Sequence, residues 1–469
     1  MVAMVAILVT VLALIRWQRL QPLPMYWDEA NYINQALVDH RLLVSGGFVR
    51  GIKALLFEDP QRPPAYRAFA MVGSLAARPT LPILRMLSLA VSLMAMVFLW
   101  RGARTVGSAA AAWAAVAAVF AMPGIFLSAG FYGTEFPLFL AIALLLYSLL
   151  RERPVGVAVA VAIGCLAKTT FPLIALPAVL ADFILKRSPR TAIAALAGAA
   201  LAAPWWAWHW RAAFAYARYG ASGGRWAAPS LALRLREVLV NGTGPGVAVA
   251  LLLLAGLRPS HAGERRVIII ALASALPLLM GAALSPVFVA RHFSPAFLPL
   301  ALLVAMQASR SARHLWAITT LVLLQALVFA CFTSRFLPRA EQIDWSFVRE
   351  SLSKPKLSIS MMGIFPGISP PEIRYAWLRR GEDADVRWLW SADEPSIDWN
   401  RIMSAARTSD AVIVVSPGDA TTMRGFEWRD NKYDAEMVAR LSASRAFAPP
   451  RAMSGGVPDR HTVLLYTRR

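Results

Sequence analysis

The chain has 469 residues, of which 58% are apolar and only 16% charged, with a mean hydropathy of +0.53. That composition excludes a water-soluble globular enzyme and indicates a polytopic α-helical membrane protein. Lys+Arg outnumber Asp+Glu by 48 to 27, a net +21, which on a soluble chain would suggest nucleic acid; here the cations sort by membrane side, and no nucleic-acid partner is expected. The two cysteines, Cys165 and Cys331, lie inside apolar runs, so neither a disulfide framework nor a Cys-rich metal site is available.

About 20 largely apolar residues cross a bilayer. About eleven such runs, several of them short, lie near 1–15, 82–100, 108–129, 135–150, 155–167, 172–185, 191–208, 245–257, 267–287, 293–307 and 315–333. With a cytoplasmic N-terminus, the inner connections become 101–104, 151–153, 186–190, 258–266 and 310–313, and each carries at least two Arg or Lys, as the positive-inside rule requires. The first run starts at Met1 with no basic flank and no small-residue cleavage site; it reads as an uncleaved first span whose missing flank points to a truncated start.

An odd number of spans puts the rest of the chain on the outer side. Residues 16–81 form a long outer loop in which 27–37 has the pattern of an Asp28-capped amphipathic helix lying in the interface. A second outer loop, about 209–244, holds Trp210, Tyr216, Tyr219 and Trp226, and the glycines between 220 and 224 predict mobility. From about 336 the character changes: this tail carries 19 cations and 17 anions, leaving 29 and 10 for the membrane part. Strand and helix patterns alternate over 356–363, 371–380, 386–390, 399–408, 411–416, 427–444 and 461–467, predicting a soluble, largely parallel α/β domain. Residues 363–367 lack dinucleotide-binding spacing. The expected domains are thus a membrane part, 1–335, and an outer α/β domain, 336–469.

Seven of the ten membrane-part anions fall on the outer side: Asp28, Glu29, Asp39, Glu58, Asp59, Glu135 and Glu237. Singly, each has an ordinary explanation as a cap or a helix-end charge. The outer cations Arg62, Lys168 and Arg291 run against the positive-inside bias, and each alone is explained by snorkelling. Together they fit a site that holds an anion and does acid–base work: cations for a phosphate, a carboxylate for a proton. His292 is more often a hydrogen-bonded bystander than an acid–base group. The outer Trp and Tyr residues are first of all an anchoring belt.

In order along the chain, Asp28-Glu29 after the first span, the Arg-Pro-Pro-x-Tyr turn at 62–66, Arg85 opening the second span, Thr134-Glu135, Ala167-Lys168 and Arg291-x-x-x-Pro295 resemble the GT-C polyprenyl-phosphate-dependent glycosyltransferases. The branch is the bacterial one that includes aminoarabinose transferases, protein mannosyltransferase-like proteins and rhizobial galacturonosyltransferases. The resemblance covers about residues 1–335, and an outer soluble tail also fits it.

It implies a GT-C-like fold and an inverting transfer from a lipid-phosphate sugar to a glycolipid, polysaccharide or protein. The setting is the periplasmic face of a bacterial inner membrane. Asp28 would be the base and Glu29 its partner in shaping the site; Glu135 would hold acceptor or sugar. Arg62, Lys168 and Arg291, with Arg85 as a weaker candidate, would neutralise the leaving phosphate, and Tyr66 and His292 would contact substrate. Two departures stand out. Pro60 occupies a position that is acidic in some relatives, with Asp59 one earlier, and His292 replaces a tyrosine found in several.

Asp28, Glu29 and Glu135 could hold a hard divalent ion, but the sequence requires none and offers no His/Cys ligand set. Two rival readings are a transporter of a lipid-linked anion, disfavoured by span centres almost free of ionisable groups, and a non-catalytic assembly partner. The glycosyltransferase reading requires these distant acidic and basic side chains to meet in one water-filled pocket.

Overall fold

A computed structural model describes residues 1–24, 26–222, 230–336, 345, 348, 352, 357–363, 368–390, 396–417, 432–452 and 461–469. Trp226 and residues 364–367 lie outside the described residues. So does most of the glycine stretch of the second loop and the first part of the helix expected over 427–444.

The chain divides into two compact units. The first comprises Met1–Leu20, Asp39–Gly223 and Ala227–Pro338; the second comprises Gln21–Val38, Gly224–Trp226 and Arg339–Arg469. The segment 21–38, at the start of the long outer loop, therefore groups with the tail.

Helices occupy all eleven apolar runs. They are α1 (Val2–Leu20), α4 (Leu81–Ala103), the pair α5 (Ala109–Phe120) and α6 (Pro123–Gly130), α7 (Glu135–Leu150), α8 (Pro154–Ala167) and α9 (Pro172–Lys186). There follow α10 (Pro189–Ser222), α12 (Pro245–Leu252), α13 (Ala262–Leu284), α14 (Ala290–Phe293) leading into α15 (Phe297–Arg310), and α16 (Ala312–Phe336). Among the described residues, six helices are long and apolar enough to cross a bilayer, and eight if each of two bent pairs counts as one span. Helices α7 and α8 are apolar but shorter.

Between the first two spans run α2 (Tyr26–Phe57) and α3 (Ala65–Ser74). Helix α2 begins two residues before Asp28, so Asp28 lies in its first turn rather than capping it. A carboxylate there is still favoured by the unpaired N–H groups of the helix start. The helix breaks at Gly47, whose φ of 72° a side chain would resist. The second expected loop is largely helical. Good helix formers carry α10 on to Ser222, and α11 (Leu231–Arg236) follows.

Helix α7 is the centre of the first unit. Every residue from Glu135 to Ala143 is buried, as are Leu145 to Leu149. A helix apolar on all sides is stable only when enclosed, and α7 packs against α4 and α8. Sixteen residues span about 24 Å, so its ends mark two ends of the bundle. At the C-terminal end, Arg266 donates to Asp182 Oδ1 through Nε at 3.0 Å and Nη2 at 2.6 Å, and to the Leu149 carbonyl at 2.8 Å. Thr191 donates to the other Asp182 oxygen at 3.1 Å. This knot joins α7, α9, α10 and α13.

The two bent pairs need more than apolar packing. Helix α5 meets α6 at 73° across Met122-Pro123, and 231–242 meets 245–256 at 97° across Gly244-Pro245. Proline cannot continue the hydrogen-bond ladder, so each break frees backbone groups in apolar surroundings. One side chain of α16 serves both breaks. Gln325 Nε2 donates to the Ala121 carbonyl at 2.7 Å and the Thr243 carbonyl at 2.9 Å, while Oε1 accepts from the Val247 amide at 2.9 Å.

In the second unit a five-stranded sheet has the order β2-β1-β3-β5-β4, with β1 (Leu357–Met362), β2 (Ala384–Trp388), β3 (Ala411–Pro417), β4 (Arg451–Ala452) and β5 (His461–Thr467). The pairs β1–β2 and β1–β3 are parallel; β3–β5 and β4–β5 are antiparallel, so the sheet is mixed rather than largely parallel. Stepping from β1 to β2 and back past β1 to β3 by right-handed crossovers puts the connecting helices on opposite faces. Alternation along the strands follows this. Ile359, Met361 and Ile413 pack with Ile373 and Trp377 of helix Pro370–Leu378, while Val412 and Val414 pack with Ile402 and Met437 of helices Trp399–Thr408 and Asp434–Ala443. Within the same unit, Asn34 Nδ2 donates to the Pro371 carbonyl at 2.7 Å, fastening the first turns of α2 to the start of the helix that opens at Pro370.

The Gln325→Leu variant leaves three buried backbone groups without partners and should lose on the order of 3 kcal/mol, read as a lowered melting temperature in detergent. A melting curve matching that of the unaltered protein would mean that the bends are held by other contacts.

Candidate functional site

The connection 130–136, between α6 and α7, collects most of the first-unit residues singled out by the sequence. Glu135 opens α7 and is 2% exposed; its Oε1 accepts from Lys168 Nζ at 2.8 Å. Lys168 reaches it because α8 stops at Ala167 and the chain turns back. The Lys168 amide bonds the Gly164 carbonyl at 3.2 Å, and the Phe171 amide bonds the Lys168 carbonyl at 3.1 Å. Phe171 then folds onto Gly164, where a Cβ would stand 2.4 Å from its ring carbons.

The second oxygen of Glu135 is buried and has no hydrogen-bond donor among the described residues. Gly133 lets the chain pass close by: a Cβ there would stand 2.9 Å from Oε2 and 2.6 Å from Cε2 of the Phe131 ring. A buried acceptor left unpaired costs roughly 1–3 kcal/mol, and such groups are rare without a functional reason. The Thr170 hydroxyl, two residues after Lys168, is likewise buried without a partner. A hydroxyl or amine donor would complete this oxygen's hydrogen bonding.

The Arg-Pro-Pro turn is fixed from inside by Asp59. Its Oδ1 accepts from the backbone amides of Gln61 at 3.1 Å and Arg62 at 3.2 Å, and its Oδ2 from the Tyr66 hydroxyl at 3.3 Å. The Arg62 guanidinium stands 3.5 Å from Oδ2 and 5.1 Å from the centre of the Tyr216 ring. Burial pushes the Tyr66 phenol well above its usual value, and the neighbouring Asp59 carboxylate adds to the rise, so Tyr66 stays a donor.

The turn is joined to the Glu135 connection. Tyr132 donates to the Tyr66 carbonyl at 2.8 Å, and the rings of Tyr66, Tyr132 and Phe136 follow one another at centroid distances of 6.0 and 5.7 Å. Arg85, 1% exposed, lies 5.2 Å from the Trp17 ring, one turn before Ser88, whose hydroxyl bonds the Phe131 carbonyl at 2.9 Å. Gln18 reaches the Gly130 carbonyl at 2.8 Å.

Arg67 has a different environment. Its guanidinium meets Asp39 through two hydrogen bonds, at 2.7 and 2.6 Å, and also donates to the carbonyls of Ala54 at 2.7 Å and Leu55 at 3.4 Å. With His209 on the Leu56 carbonyl at 2.7 Å, three of the last carbonyls of α2 are capped by side chains.

Arg291 and His292, both half-buried, lie in α14. The contacts of α14 tie it to the opposite end of α6 from the Glu135 connection. Ser294, just beyond it, packs on Gly124, and the Ala290 amide is capped by Glu237 Oε1 at 2.6 Å. Asp28 and Glu29 belong to the second unit, Asp28 half-buried and Glu29 fully buried. The structure thus gathers Arg62, Tyr66, Glu135, Lys168 and Arg85 around one connection. Among the described residues, no group of three or more His, Cys, Asp or Glu side chains is close enough to hold a metal ion.

Sequence reasoning missed Tyr132, Thr170, Arg67 and Tyr216. Tyr132 was within reach, since it precedes Gly133 in the segment that leads to Glu135. Tyr216 was assigned to a loop, and only the length of α10 brings it to Arg62.

No protein-family model matches the chain, and no curated protein matches it by sequence. Solved structures do match. The chain is similar to ArnT from Cupriavidus metallidurans in its apo crystal structure, with a TM-score of 0.65 at 13% identity, and bound to undecaprenyl phosphate, with 0.64 at 12%. Both matches cover 98% of this chain and 97% of that one. An oligosaccharyltransferase from Archaeoglobus fulgidus, solved with Zn and sulfate, matches with a TM-score of 0.50 at 13% identity over 100% of this chain and 73% of its own. Both have the GT-C fold, and the likeness to ArnT over nearly the whole length of both chains gives this polypeptide that fold.

Proposed function

We propose that the chain is an inverting glycosyltransferase of the bacterial inner membrane. It would move a sugar from a polyprenyl-phosphate donor to a glycolipid, polysaccharide or protein at the periplasmic face, where its C-terminal domain also lies. The observation that carries this reading is the likeness, over nearly all of both chains, to a protein solved with undecaprenyl phosphate. The Glu135–Lys168 pair with its open carboxylate oxygen supports it.

In the reaction an acceptor O–H or N–H attacks the anomeric carbon as the bond from that carbon to the phosphate oxygen breaks. Asp28 takes the proton, and Glu29 shapes its surroundings. Glu135 accepts a hydrogen bond from acceptor or sugar through Oε2. Arg62 meets the departing phosphate, where charge grows in the transition state; the family-like pattern gives Arg291 the same role, although α14 is tied to the other end of α6 from the Glu135 connection. Lys168 spends one of its three N–H donors on Glu135 and keeps two for the same phosphate. Arg85 adds positive charge, and Tyr66 and His292 contact substrate.

Incubating the purified protein with a panel of polyprenyl-phosphate sugars should release polyprenyl phosphate from at least one of them; no release from any would overturn the reading. The Asp28→Asn variant should lose transfer while still inserting and melting normally. Wild-type turnover would remove Asp28 from the mechanism.

The two arginines of the turn should separate cleanly. Arg62→Ala should need at least about tenfold more donor, from the loss of a charge-assisted hydrogen bond worth about 1.5–3 kcal/mol, with melting unchanged. Arg67→Ala should lose about 3–5 kcal/mol of stability, since it leaves Asp39 buried and uncompensated. Equal melting temperatures for the two would contradict the assignment.

A further inference from the structure

We infer that Asp59 is a positioning residue for the donor-phosphate site: it holds the 59–66 turn so that Arg62 meets the phosphate, without touching the substrate itself. The inference rests on the glycosyltransferase reading and concerns a residue that the family-like pattern leaves without a role.

The geometry is that of a carboxylate spent on its own turn. Oδ1 takes two backbone amides, Gln61 and Arg62, in the manner of an Asx turn, and Oδ2 takes the Tyr66 hydroxyl. Pro63 and Pro64, which follow directly, cannot donate backbone hydrogen bonds, so these amides are the ones by which the turn can be fixed. The contact of Asp59 with the Arg62 guanidinium is single and long, 3.5 Å. Five residues on, Arg67 shows what a committed pair looks like, with two bonds of 2.6 and 2.7 Å. Asp59 therefore orients Arg62 through the backbone, Tyr66 and a loose lateral contact, while the Tyr216 ring closes a further side at 5.1 Å. The same Tyr66 accepts from Tyr132 through its carbonyl, so the turn keeps a fixed relation to the Glu135 connection.

Two effects of removing Asp59 oppose each other. The Arg62 charge would be less compensated, which favours phosphate, and the turn would lose three hydrogen bonds, which scatters Arg62. The Arg62 contact is a single one at 3.5 Å, whereas the turn loses three bonds of 3.1, 3.2 and 3.3 Å that hold its backbone and Tyr66, so disorder wins.

The test is a double-mutant cycle on the full-length protein in detergent, with undecaprenyl phosphate as the probe and its dissociation constant as the readout. Asp59→Ala should weaken probe binding about tenfold, and Asp59→Asn, whose amide oxygen can still accept both backbone amides, should stay within about threefold. In an Arg62→Ala background Asp59→Ala should have no further effect. A merely structural Asp59 would instead weaken binding by the same factor in both backgrounds, which overturns the inference, as would Asp59→Asn binding the probe more tightly than wild type. Should Asp59→Ala fail to fold, Asp59→Ser, which keeps one acceptor, takes its place in the same cycle with the same expectation. If the wild type binds the probe and Arg62→Ala weakens it but Asp59→Ala does not, the inference alone falls. If the wild type does not bind at all, the glycosyltransferase reading falls, and the inference with it.

Discussion

Every backbone N–H and C=O in an apolar bundle must find its partner inside the protein, and much of this architecture follows from that constraint. Unbroken helices meet it by themselves. At several places where the chain bends or stops, a polar side chain from elsewhere completes it: Gln325 at two proline-initiated breaks, Arg67 and His209 at the end of α2, Arg266 at the end of α7. These residues are the ones whose burial a composition argument would count as errors. Each joins elements distant in sequence, so the local repair of one break also fixes the packing of another helix.

The same accounting sorts charges that look alike in sequence. Arg62 and Arg67 are five residues apart in one turn and helix. Arg67 is enclosed by Asp39 and two carbonyls, and its charge is consumed in holding α2. Arg62 stands 3.5 Å from a carboxylate already occupied by backbone amides and a tyrosine. The difference is one of neighbours, not of residue type. It makes one cation a structural bolt, while the other is the one proposed above to meet the donor phosphate.

Glu135 makes the complementary case. It sits at a helix start and pairs with Lys168, yet one oxygen remains buried without a donor among the described residues. Retaining such a group at the head of the central, enclosed α7 costs stability, and the packed surroundings fix its position. Preorganised polarity of this kind is what a transfer reaction requires, since groups already oriented need no rearrangement as charge develops.

Much of this was legible in the residues themselves. Hydropathy located a helix in each of the eleven apolar runs, but not α3, α11 or the second half of α2, and strand–helix alternation found the tail's α/β domain. The pattern from Asp28 to Arg291 pointed to the GT-C fold that the solved structures bear out. Periodicity could not say that β5 returns antiparallel, because a strand's direction depends on how its connection crosses the sheet. Nor could it carry α10 past residue 208 to bring Tyr216 against Arg62, or separate Arg62 from Arg67. Sequence determined which apolar segments are helical and which side chains are chemically able to act. Tertiary structure decided which of those side chains are already satisfied by neighbours, because burial and hydrogen-bond partners come from segments tens to hundreds of residues away.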